Sequence, residues 1–327
     1  MGNKVNGLGH FVPNTVITNE DFVKRGLDTN NDWIVERTGI HQRRFVDNQM
    51  GSSDLAYEAA LKCINNSTIT ADNIDLIIVA TSTPDYLSFP STACILQQKL
   101  NCKNIPAFDL SAACSGFCFA LSTAENYLLN PNYNNILIVG VDCLSSITNH
   151  EDRKTAILFG DGAGAMIVSK TDSETSILYS KMYSDGNYQD ILKVAEGGSK
   201  KPISEDVVKN KTHFIQMDGK AVFKNAISAT VPAIKKALDD ISLDIDNIDY
   251  LVCHQANKRI LDKIAQKIGV DNKRVITNLE KYGNTSAASI PLAMSEFNQH
   301  NGFKKGDIII LVGFGAGFTW GINIIKW

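Results

Sequence analysis

The sequence lacks the features that would place a protein in a membrane or on a nucleic acid. No apolar run approaches the roughly 18 residues that a membrane-spanning helix needs. Residues 1–19 contain one lysine and no sustained apolar stretch, so no signal peptide is expected. The net charge of −3 and the pI near 6.1 differ from the strongly basic balance of a general nucleic-acid binder. We therefore expect neither a membrane nor a nucleic acid as a partner.

The seven cysteines show neither a disulfide pattern nor a metal-binding spacing. An odd number of scattered cysteines is typical of a reducing compartment, where thiols remain free. No Cys-x-x-Cys pair is present, which argues against a structural zinc site. We therefore expect a cytoplasmic protein with no bound metal. With 327 residues, of which 44% are hydrophobic, the chain is long enough for two domain-sized halves.

The order of the motifs indicates an internal duplication. The letters Asp-Asn-Ile-Asp stand before an apolar run at 72–80 and again at 246–253. Two further pairs of segments recur at nearly the same offset of 173–175 positions: 112–115 with 287–290, and 135–140 with 307–313. Three pairs at one offset are hard to ascribe to chance, whereas each short string alone is a weak signal.

These repeats predict an α/β protein of two similar halves, residues 1–172 and 173–327. Amphipathic helices are predicted at 54–65 and 221–238, ahead of the first repeated strand of each half. The short apolar runs between helices are typical of strands that are buried on both faces of a sheet. The simplest architecture is two similar sheets packed around shared helices. The polar segment 184–211 is predicted to be a long insertion in the second half.

Cys114 lies where an apolar, strand-like segment passes through small residues into a helix. A helix dipole stabilises a thiolate near the helix N-terminus, so we expect a lowered pKa and a nucleophilic role. The small neighbours leave room for a sharp turn and for a substrate. A buried packing cysteine remains the alternative, and it is the commoner meaning of this segment alone. For Cys118, one helical turn further on, packing is the expected role.

His254 and Asn284 occupy comparable places in the second half. His254 directly follows a repeated strand, and ligands of open α/β sheets bind beyond the carboxyl ends of strands. Asn284 precedes the helix that corresponds to the one Cys114 opens. Each residue alone could equally be a satisfied polar group or a helix cap. A duplication would bring the two turns together, so we predict that Cys114, His254 and Asn284 share one pocket as nucleophile and hydrogen-bond donors.

Two glycine-rich strings do not predict a dinucleotide site. Residues 160–164 precede a strand-like segment rather than a helix, and residues 313–321 also run into a strand. For 313–321 a hairpin turn is the more plausible structure. Its backbone N–H groups would face the pocket, where such groups form an oxyanion hole.

Taken together, the motifs resemble the ketoacyl-acyl-carrier-protein synthase III branch of the thiolase superfamily. The resemblance runs nearly from end to end and rests on an ordered set of strings: 33–40, 89–91, 112–114, 152–153, 159–164, 254–257, 283–289 and 318–321. The Cys-His-Asn set separates this branch from the Cys-His-His elongating synthases, and the Trp-Ile and Arg-Thr-Gly-Ile strings separate it from plant-type polyketide synthases. The fold that this resemblance implies is thiolase-like, with duplicated α/β halves layered as αβαβα.

The resemblance implies a two-stage reaction in a homodimer. A short acyl-CoA, with acetyl-CoA as the expected starter, would acylate Cys114, and the acyl group would condense with malonyl-acyl carrier protein to start fatty-acid synthesis. His254 and Asn284 would donate hydrogen bonds to the malonyl thioester carbonyl and stabilise the enolate formed on decarboxylation. The backbone N–H groups of Cys114 and Ala316 would form the oxyanion hole. Acyl-CoA is a substrate here, and no separate cofactor is expected.

The same resemblance assigns binding roles to three further sets of residues. The set implied to hold CoA is Trp33, Arg37, Thr38 and Arg153. The set implied to line the acyl pocket is Leu144, Phe159 and, reaching in from the partner subunit, Phe89. The set implied to contact the carrier protein is Gln255, Ala256, Asn257, Lys258 and Arg259. Indole and guanidinium groups suit the adenine and the phosphates of CoA. Lys263 and Lys267 continue from Arg259 at a spacing of four, which would make one helix face basic.

Two other functions also fit the sequence. One is a relative in secondary metabolism that transfers acyl groups or condenses them with a different nucleophile, because the pocket side chains that decide specificity are not located by sequence alone. The other is a non-enzymatic scaffold of the same fold. The intact set of Cys114, His254 and Asn284 argues against the scaffold, and labelling of Cys114 by an acyl-CoA would exclude it.

Overall fold

The computed structural model describes residues 2–47, 49–172 and 176–327. Its strands, in chain order, are β1 (Gly2–Phe11), β2 (Thr15–Thr18), β3 (Gln42–Phe45), β4 (Leu76–Ala80), β5 (Ala107–Leu110), β6 (Asn135–Cys143), β7 (Asp161–Thr171), β8 (Ile177–Ser184), β9 (Leu192–Val194), β10 (Ile215–Met217), β11 (Tyr250–Cys253), β12 (Ile308–Gly315) and β13 (Thr319–Lys326). Its α-helices are α1 (Asn19–Lys24), α2 (Asn31–Thr38), α3 (Ser52–Asn65), α4 (Thr92–Lys99), α5 (Gly116–Leu128), α6 (Arg153–Ala156), α7 (Glu205–Lys209), α8 (Gly219–Asp240), α9 (Lys258–Ile268), α10 (Leu279–Tyr282) and α11 (Ser289–His300).

Two mixed sheets form the body of the structure. The first has the strand order β1-β7-β6-β4-β5, in which β4 is parallel to β5 and β6, and β7 is antiparallel to β1 and β6. The second has the order β11-β12-β13-β8, in which β11 and β12 are parallel and the other pairs are antiparallel. The predicted boundary between the halves falls between these two sheets, at a segment of which 173–175 lie outside the described residues.

The two sheets enclose a layer of helices, and further helices cover their outer faces. Helices α5 and α11 pack between the sheets, and α3 and α4 cover the first sheet. Helix α8 covers the second sheet, and α9 packs against α8 and shares a hydrophobic core cluster with that sheet. This αβαβα layering confirms the predicted fold class. The sequence of β4 shows why, since Leu76 and Ile78 face the inner helices while Ile77 and Val79 face the outer ones. A strand that is covered on both faces reads as a continuous apolar run.

Each half contains a sharp turn in which a short 3₁₀ helix leads into an inner helix. The first elbow is Ala113–Ser115 before α5, and the second elbow is Ser286–Ala288 before α11. The leading residue of each elbow has a positive φ, 46° at Ala113 and 51° at Ser286, although neither is glycine. Positive φ is uncommon for such residues. The same unusual turn therefore occurs twice, at the repeat distance that the sequence predicts.

The two elbows pack directly against each other. A Cβ atom at Gly116 would lie 3.5 Å from the Cβ of Ala287, and a Cβ atom at Gly140 would lie only 2.2 Å from the Ala287 carbonyl oxygen. The buried carboxylate of Asp142 also joins the two halves, because it accepts hydrogen bonds from the Ser82 N–H (2.7 Å) and the Ala287 N–H (3.2 Å). Glycine is required at position 140 because no side chain fits between β6 and the second elbow.

The elements outside this centre agree with the sequence to different degrees. The predicted helices at 54–65 and 221–238 are α3 and α8, each of which begins two residues earlier than predicted. The predicted insertion at 184–211 contains β9 and α7, and β9 pairs with β10 in a small two-stranded antiparallel sheet. These strands have only three residues each, too few to give a periodic signal. Across the described ranges, no helix is both long and apolar enough to cross a membrane.

Candidate active site

A cavity beside the two elbows is lined by Cys114, His254 and Asn284, the three residues that the sequence predicts to share one pocket. His254 directly follows β11, which runs parallel to β12, so the cavity lies beyond the carboxyl ends of parallel strands. Apolar side chains complete its wall, among them Leu158, Leu192, Met217, Phe223, Phe314 and Phe318. The structure thus brings one thiol and two polar donors together in an apolar cleft.

Cys114 is the middle residue of the first elbow, and its side chain is buried. Burial raises the pKa of the thiol to about 12, although a hydrogen bond with Ser286 acts in the opposite direction and the carboxylate of Asp142 adds to the increase. The sequence predicts a lowered pKa, and that prediction is wrong for the resting structure. Loss of hydration disfavours the charged thiolate and has the largest effect on this pKa. Cys114 therefore rests as a protonated thiol at neutral pH.

His254 is held by both its backbone and its ring. The backbone N–H donates to the Val312 carbonyl (2.8 Å), which fixes the residue to the middle of β12. The ring nitrogen Nδ1 lies 2.8 Å from the Ser289 hydroxyl, and the ring packs edge-on against Phe314 with centroids 5.2 Å apart. Burial lowers the pKa of His254 to about 3. The imidazole is therefore neutral at physiological pH and carries a single proton.

Asn284 is fixed by three hydrogen bonds, two of which connect it to the first half. Its backbone N–H donates to the Leu158 carbonyl (2.8 Å), and its carbonyl accepts from the Gly160 N–H (2.9 Å). Its side-chain oxygen accepts from the Ser286 N–H (2.9 Å). Since the side-chain oxygen is used within the elbow, the side-chain amide nitrogen is the atom that can donate into the cavity.

The predicted hairpin is the turn between β12 and β13, and it packs against the nucleophile. A Cβ atom at Gly315 would lie 2.6 Å from the backbone nitrogen of Cys114. The turn is tied to the first elbow by a hydrogen bond between the Ser115 and Thr319 hydroxyls (2.8 Å). Ala316 follows Gly315 and lines a second cavity together with Cys114. The two N–H groups predicted to form an oxyanion hole therefore belong to segments in contact.

The second cavity has a volume of about 160 Å³ and is mostly apolar. Leu144 and Phe159, the residues predicted for an acyl pocket, both line it and are buried. The small sheet of β9 and β10 adds Leu192 and Ile215 to its wall. Leu192 and Phe159 also line the first cavity, so the two cavities meet at Cys114.

Phe89 lies outside both cavities of its own chain. Its side chain is 85% exposed, and it shares an exposed apolar loop with Tyr86 and Leu87. Several large apolar side chains exposed side by side are unusual on the surface of a monomeric soluble protein. The predicted role of Phe89 in a partner subunit's pocket stays a prediction.

Three of the four residues predicted to hold CoA form one group on the surface. The guanidinium carbons of Arg153 and Arg37 lie 4.9 Å and 5.8 Å from the centre of the Trp33 ring. Arg153 also pairs with the carboxylate of Asp28 at 3.1 Å. An indole between two arginines provides a stacking face and positive charge at the same place.

Thr38 and Gln255 have buried side chains that are occupied within the chain. The Thr38 hydroxyl donates to the Ile34 carbonyl (2.7 Å) at the end of α2. The Gln255 amide donates to the Cys253 carbonyl (2.7 Å) and accepts from the Asn278 N–H (3.1 Å). The expected contact of Gln255 with a carrier protein is therefore corrected, because its side chain is 1% exposed and fully bonded. The Thr38 hydroxyl is likewise occupied by a hydrogen bond within its own chain.

The other residues predicted for carrier-protein contact lie at the start of α9. Ala256 and Asn257 line the first cavity. Asn257 caps α9 through its side-chain oxygen, and its amide donates to the Arg37 carbonyl (3.0 Å), which joins α9 to α2. Lys258 forms an ion pair with an aspartate one turn along the helix. Arg259 is exposed at the rim.

Sequence reasoning missed several side chains of this site. Leu192 and Met217 enter it from strands too short to be predicted. Asp142 could have been recognised from the sequence, since it is a lone carboxylate inside the apolar strand β6. Ser289 carried no signal beyond its place in a string of small residues. Among the described residues, no group of three His, Cys, Asp or Glu side chains is arranged to hold a metal ion.

Two family models match the chain. The model described as 3-oxoacyl-[acyl-carrier-protein (ACP)] synthase III matches residues 108–186, and the model of its C terminal matches residues 238–327. The chain is 44% identical over 321 residues to the β-ketoacyl-[acyl-carrier-protein] synthase III of Clostridioides difficile strain 630, covering 98% of this chain and 97% of that one. The chain belongs to the synthase III family. It is accordingly an acyltransferase of the condensing-enzyme type.

Solved structures of synthase III relatives have the same fold. The 3-oxoacyl-(acyl carrier protein) synthase III of Pseudomonas aeruginosa PAO1 has a TM-score of 0.92 at 35% identity, covering 100% of this chain and 98% of that chain. The priming β-ketosynthase of the R1128 polyketide biosynthetic pathway has a TM-score of 0.91 at 29% identity, covering 99% and 96%. The thiolase-like fold implied by the sequence resemblance is confirmed.

The buried imidazole of His254 gives a test of the site's electrostatics. Because burial lowers its pKa to about 3, its ring signals should not titrate between about pH 4.5 and 8. We would follow the histidine ring signals by NMR across this range and assign His254 by the signal that His254→Ala removes. A midpoint near 6.5 for that signal would show that water reaches the ring and that it is not held neutral.

Proposed function

We propose that this chain catalyses the condensation of a short acyl-CoA with malonyl-acyl carrier protein and so starts fatty-acid synthesis. The observation that carries the proposal is the shared cavity of Cys114, His254 and Asn284, which combines a nucleophile with two neutral donors. A relative that is 44% identical over nearly the whole chain bears the name β-ketoacyl-[acyl-carrier-protein] synthase III. The two cavities that meet at Cys114 suit a carrier arm on one side and an acyl chain on the other.

In the first half-reaction, the sulfur of Cys114 attacks the thioester carbonyl of the acyl-CoA. A thioester to Cys114 forms, the bond to the CoA sulfur breaks, and CoA leaves with the proton that the cysteine thiol gives up. No net proton is gained or lost, which suits a thiol that burial keeps protonated at rest. The backbone N–H groups of Cys114 and Ala316 would stabilise the tetrahedral oxyanion.

In the second half-reaction, the malonyl carboxylate leaves as CO2 and its bonding electron pair stays on the thioester as an enolate. The enolate carbon attacks the acyl carbonyl on Cys114, the thiolate leaves, and it regains a proton from solvent. No base is needed, because carbon–carbon cleavage rather than proton removal produces the carbanion. Hydrogen bonds to the enolate oxygen are needed, and a neutral His254 and the amide of Asn284 can donate them.

The size of the second cavity favours a short starter. Its volume of about 160 Å³ is close to that of an engineered apolar cavity of roughly 150 Å³ that holds benzene. An acyl group of a few carbons would fill it, and we propose acetyl as one such group. Apolar side chains such as Leu144 and Phe159 form most of its wall and suit an apolar acyl chain, while Ser82, Lys193 and Ser286 add a small polar part.

The group around Trp33 is the proposed site for the nucleotide of CoA. The indole would stack on adenine, and Arg37 and Arg153 would meet the phosphates. The hydrogen bond from Asn257 to the Arg37 carbonyl supports this assignment, since it joins the surface group to the mouth of the first cavity. A substrate held at Trp33 could therefore reach Cys114 through that cavity.

A polyketide priming enzyme is the second candidate of the same family. The R1128 priming β-ketosynthase supports it, with 29% identity to this chain. Both candidates would use Cys114 as the acyl carrier, so the chemistry of the site does not separate them. The starter and the carrier protein that the enzyme accepts would separate them.

A homodimer and a cytoplasmic location complete the proposal. The exposed apolar loop with Tyr86, Leu87 and Phe89 supports a dimer, because burial against a second copy would remove this surface from water. All seven cysteines are free thiols in the structure, which is in keeping with a reducing compartment.

Substitutions at the three polar residues should separate the two half-reactions. Cys114→Ala should abolish acyl transfer and leave part of the malonyl decarboxylation, because both donors to the enolate remain. His254→Ala and Asn284→Ala should still accept an acyl group on Cys114, while decarboxylation falls by roughly 10²–10³ for each lost donor. Acylation would be measured by mass spectrometry of the intact protein and decarboxylation by release of CO2. Normal decarboxylation in His254→Ala would refute its assigned role.

Phe89 should limit the length of the starter from across the dimer interface. Phe89→Ala should accept acyl-CoAs longer by one or two methylenes, with a preference shifted by tens-fold, since such groups are worth about 1–3 kcal/mol of discrimination. Leu129→Ala is a matched control, because Leu129 is also highly exposed (81%) and lies at the end of α5. Acyl-CoA panels would be compared for both variants. A wild-type protein that sediments as an active monomer would remove the basis of this prediction.

The outer face of α9 is the proposed docking surface for the acidic carrier protein. The inner face of this helix is apolar and buried at Ile260, Leu261 and Ile264, which leaves Arg259 and Lys263 on the opposite side. The guanidinium of Arg259 rests over the ring of a phenylalanine of α8 and lines an open groove. The net charge of −3 gives no overall attraction to an acidic partner, so a local basic surface has to provide it.

Reversal of the charge at Arg259 should weaken binding of the carrier protein without changing the reaction with acyl-CoA. Arg259→Glu should raise KM for malonyl-carrier protein at least tenfold, about 1.4 kcal/mol, and leave acylation of Cys114 by acyl-CoA unchanged. Lys305→Glu is the matched control, because it makes the same charge change at an exposed lysine that precedes β12, and the eight residues of that strand, roughly 26 Å in length, separate it from the turn that packs against Cys114. The KM of the wild type should also rise with salt. Equal KM values for both variants would show that the carrier protein docks on a different surface.

A further inference from the structure

Ser289, the first residue of α11, touches the imidazole of His254 from behind. Its hydroxyl oxygen lies 2.8 Å from Nδ1 of His254, and the two side chains are 1% and 2% exposed respectively. The front of the ring belongs to the wall of the first cavity. The contact is therefore a buried hydrogen bond between the proposed catalytic donor and a residue that does not line that cavity.

The direction of this hydrogen bond follows from the partners that the Ser289 hydroxyl has. The backbone N–H of Gln255 also approaches the Ser289 oxygen, at 3.3 Å, and an N–H can only donate. The hydroxyl proton of Ser289 needs an acceptor of its own, because the side chain is buried, and among the described residues Nδ1 of His254 is the one acceptor within hydrogen-bond distance of it. Nδ1 then acts as the acceptor, and the single proton of the neutral imidazole is on Nε2.

The tautomer matters because the ring carries only one proton. With the proton on Nε2, the nitrogen that is not occupied by Ser289 can donate to an enolate oxygen. With the proton on Nδ1, the same nitrogen would present a lone pair, which repels an enolate oxygen. A buried imidazole that is neutral at pH 7 cannot supply donors at both nitrogens.

We propose that Ser289 is a positioning residue, which fixes His254 as the tautomer with its proton on Nε2 and so makes it a donor for decarboxylation. This inference rests on the proposed function in its use of the donor, although the tautomer itself does not depend on that function. A hydroxyl suits the role because it directs one proton to Nδ1 and adds no charge. A carboxylate at the same place would accept from Nδ1 and favour the wrong tautomer or a charged ring.

The same helix offers a matched control. Ser295 also lies on α11, is also 1% exposed, and places its hydroxyl 2.9 Å from Nδ1 of His10. His10 is on β1 and lines neither of the cavities that meet at Cys114. Ser295→Ala therefore removes a hydrogen bond of the same kind from the same helix, away from the proposed chemistry.

The tautomer of His254 can be read directly from the ¹⁵N signals of its ring in histidine-labelled protein at pH 7. The wild type should show a protonated Nε2 and an unprotonated Nδ1, with His254 assigned by the signals that His254→Ala lacks. In Ser289→Ala the signals should move toward a mixture of the two tautomers, whereas Ser295→Ala should leave them unchanged. A wild-type ring protonated on Nδ1 would overturn the inference, whatever the enzyme's activity.

The kinetic consequence is tested on the same variants. Ser289→Ala should lower decarboxylation of malonyl-carrier protein by roughly 10–100-fold, less than the loss of the donor itself, with Cys114 acylation by acyl-CoA unchanged. Ser289→Thr, which keeps the hydroxyl, should restore most of the rate, and Ser295→Ala should decarboxylate as the wild type does. Thermal unfolding of each variant would show that the fold is retained.

The outcomes separate this inference from the proposed function. If the wild type decarboxylates but Ser289→Ala remains within twofold of it, Ser289 has no positioning role and the inference is wrong. If the wild type neither acylates Cys114 nor decarboxylates malonyl-carrier protein, the proposed function is wrong, and the ring signals alone decide the tautomer. A variant that does not fold leaves the wild-type ring signals as the deciding measurement.

Discussion

The contact between the two elbows is the constraint on which the site depends. Cys114 belongs to the first elbow and Asn284 lies two residues before the second, so neither half alone contains the set of polar groups. Gly140 leaves room for the carbonyl of Ala287, and the carboxylate of Asp142 accepts hydrogen bonds from both halves. A side chain at position 140 would force β6 and the second elbow apart, and the second elbow is the one that positions Asn284. The geometry of the site is therefore a product of the packing between the duplicated halves.

Burial at this contact also determines the chemistry of the site. Loss of hydration keeps Cys114 protonated and His254 neutral, which are opposite changes of pKa with one cause. A site of this kind is poorly suited to removing protons and well suited to stabilising an enolate oxygen with neutral donors. Asn284 completes it with a donor that does not titrate. The same low polarity strengthens the hydrogen bonds that orient these groups, including the one from Ser289.

Much of this arrangement could be predicted from the sequence because duplication leaves a repeated pattern. The repeat offset located β4 and β11 to the residue and predicted that the turns near Cys114 and Asn284 would meet. What could not be predicted depends on the solvent exposure of single side chains. A low pKa was expected for Cys114 because its place at a helix end is visible in the sequence, whereas its burial is not. A surface role was expected for Gln255 because of its neighbours in the sequence, which do not reveal its three internal hydrogen bonds. The small sheet of β9 and β10 beside the acyl cavity could not be predicted, because its strands have only three residues each.

The central claim is that residues from both halves form one site for decarboxylative condensation. Its most direct test is incubation of the purified protein with a panel of acyl-CoAs and malonyl-carrier protein, with protein and products identified by mass spectrometry. We expect a short acyl group on Cys114, followed by a β-ketoacyl-carrier protein that is two carbons longer than the starter, with one CO2 released from the malonyl group. An acyl group found on another residue, or transferred without loss of CO2, would contradict the account.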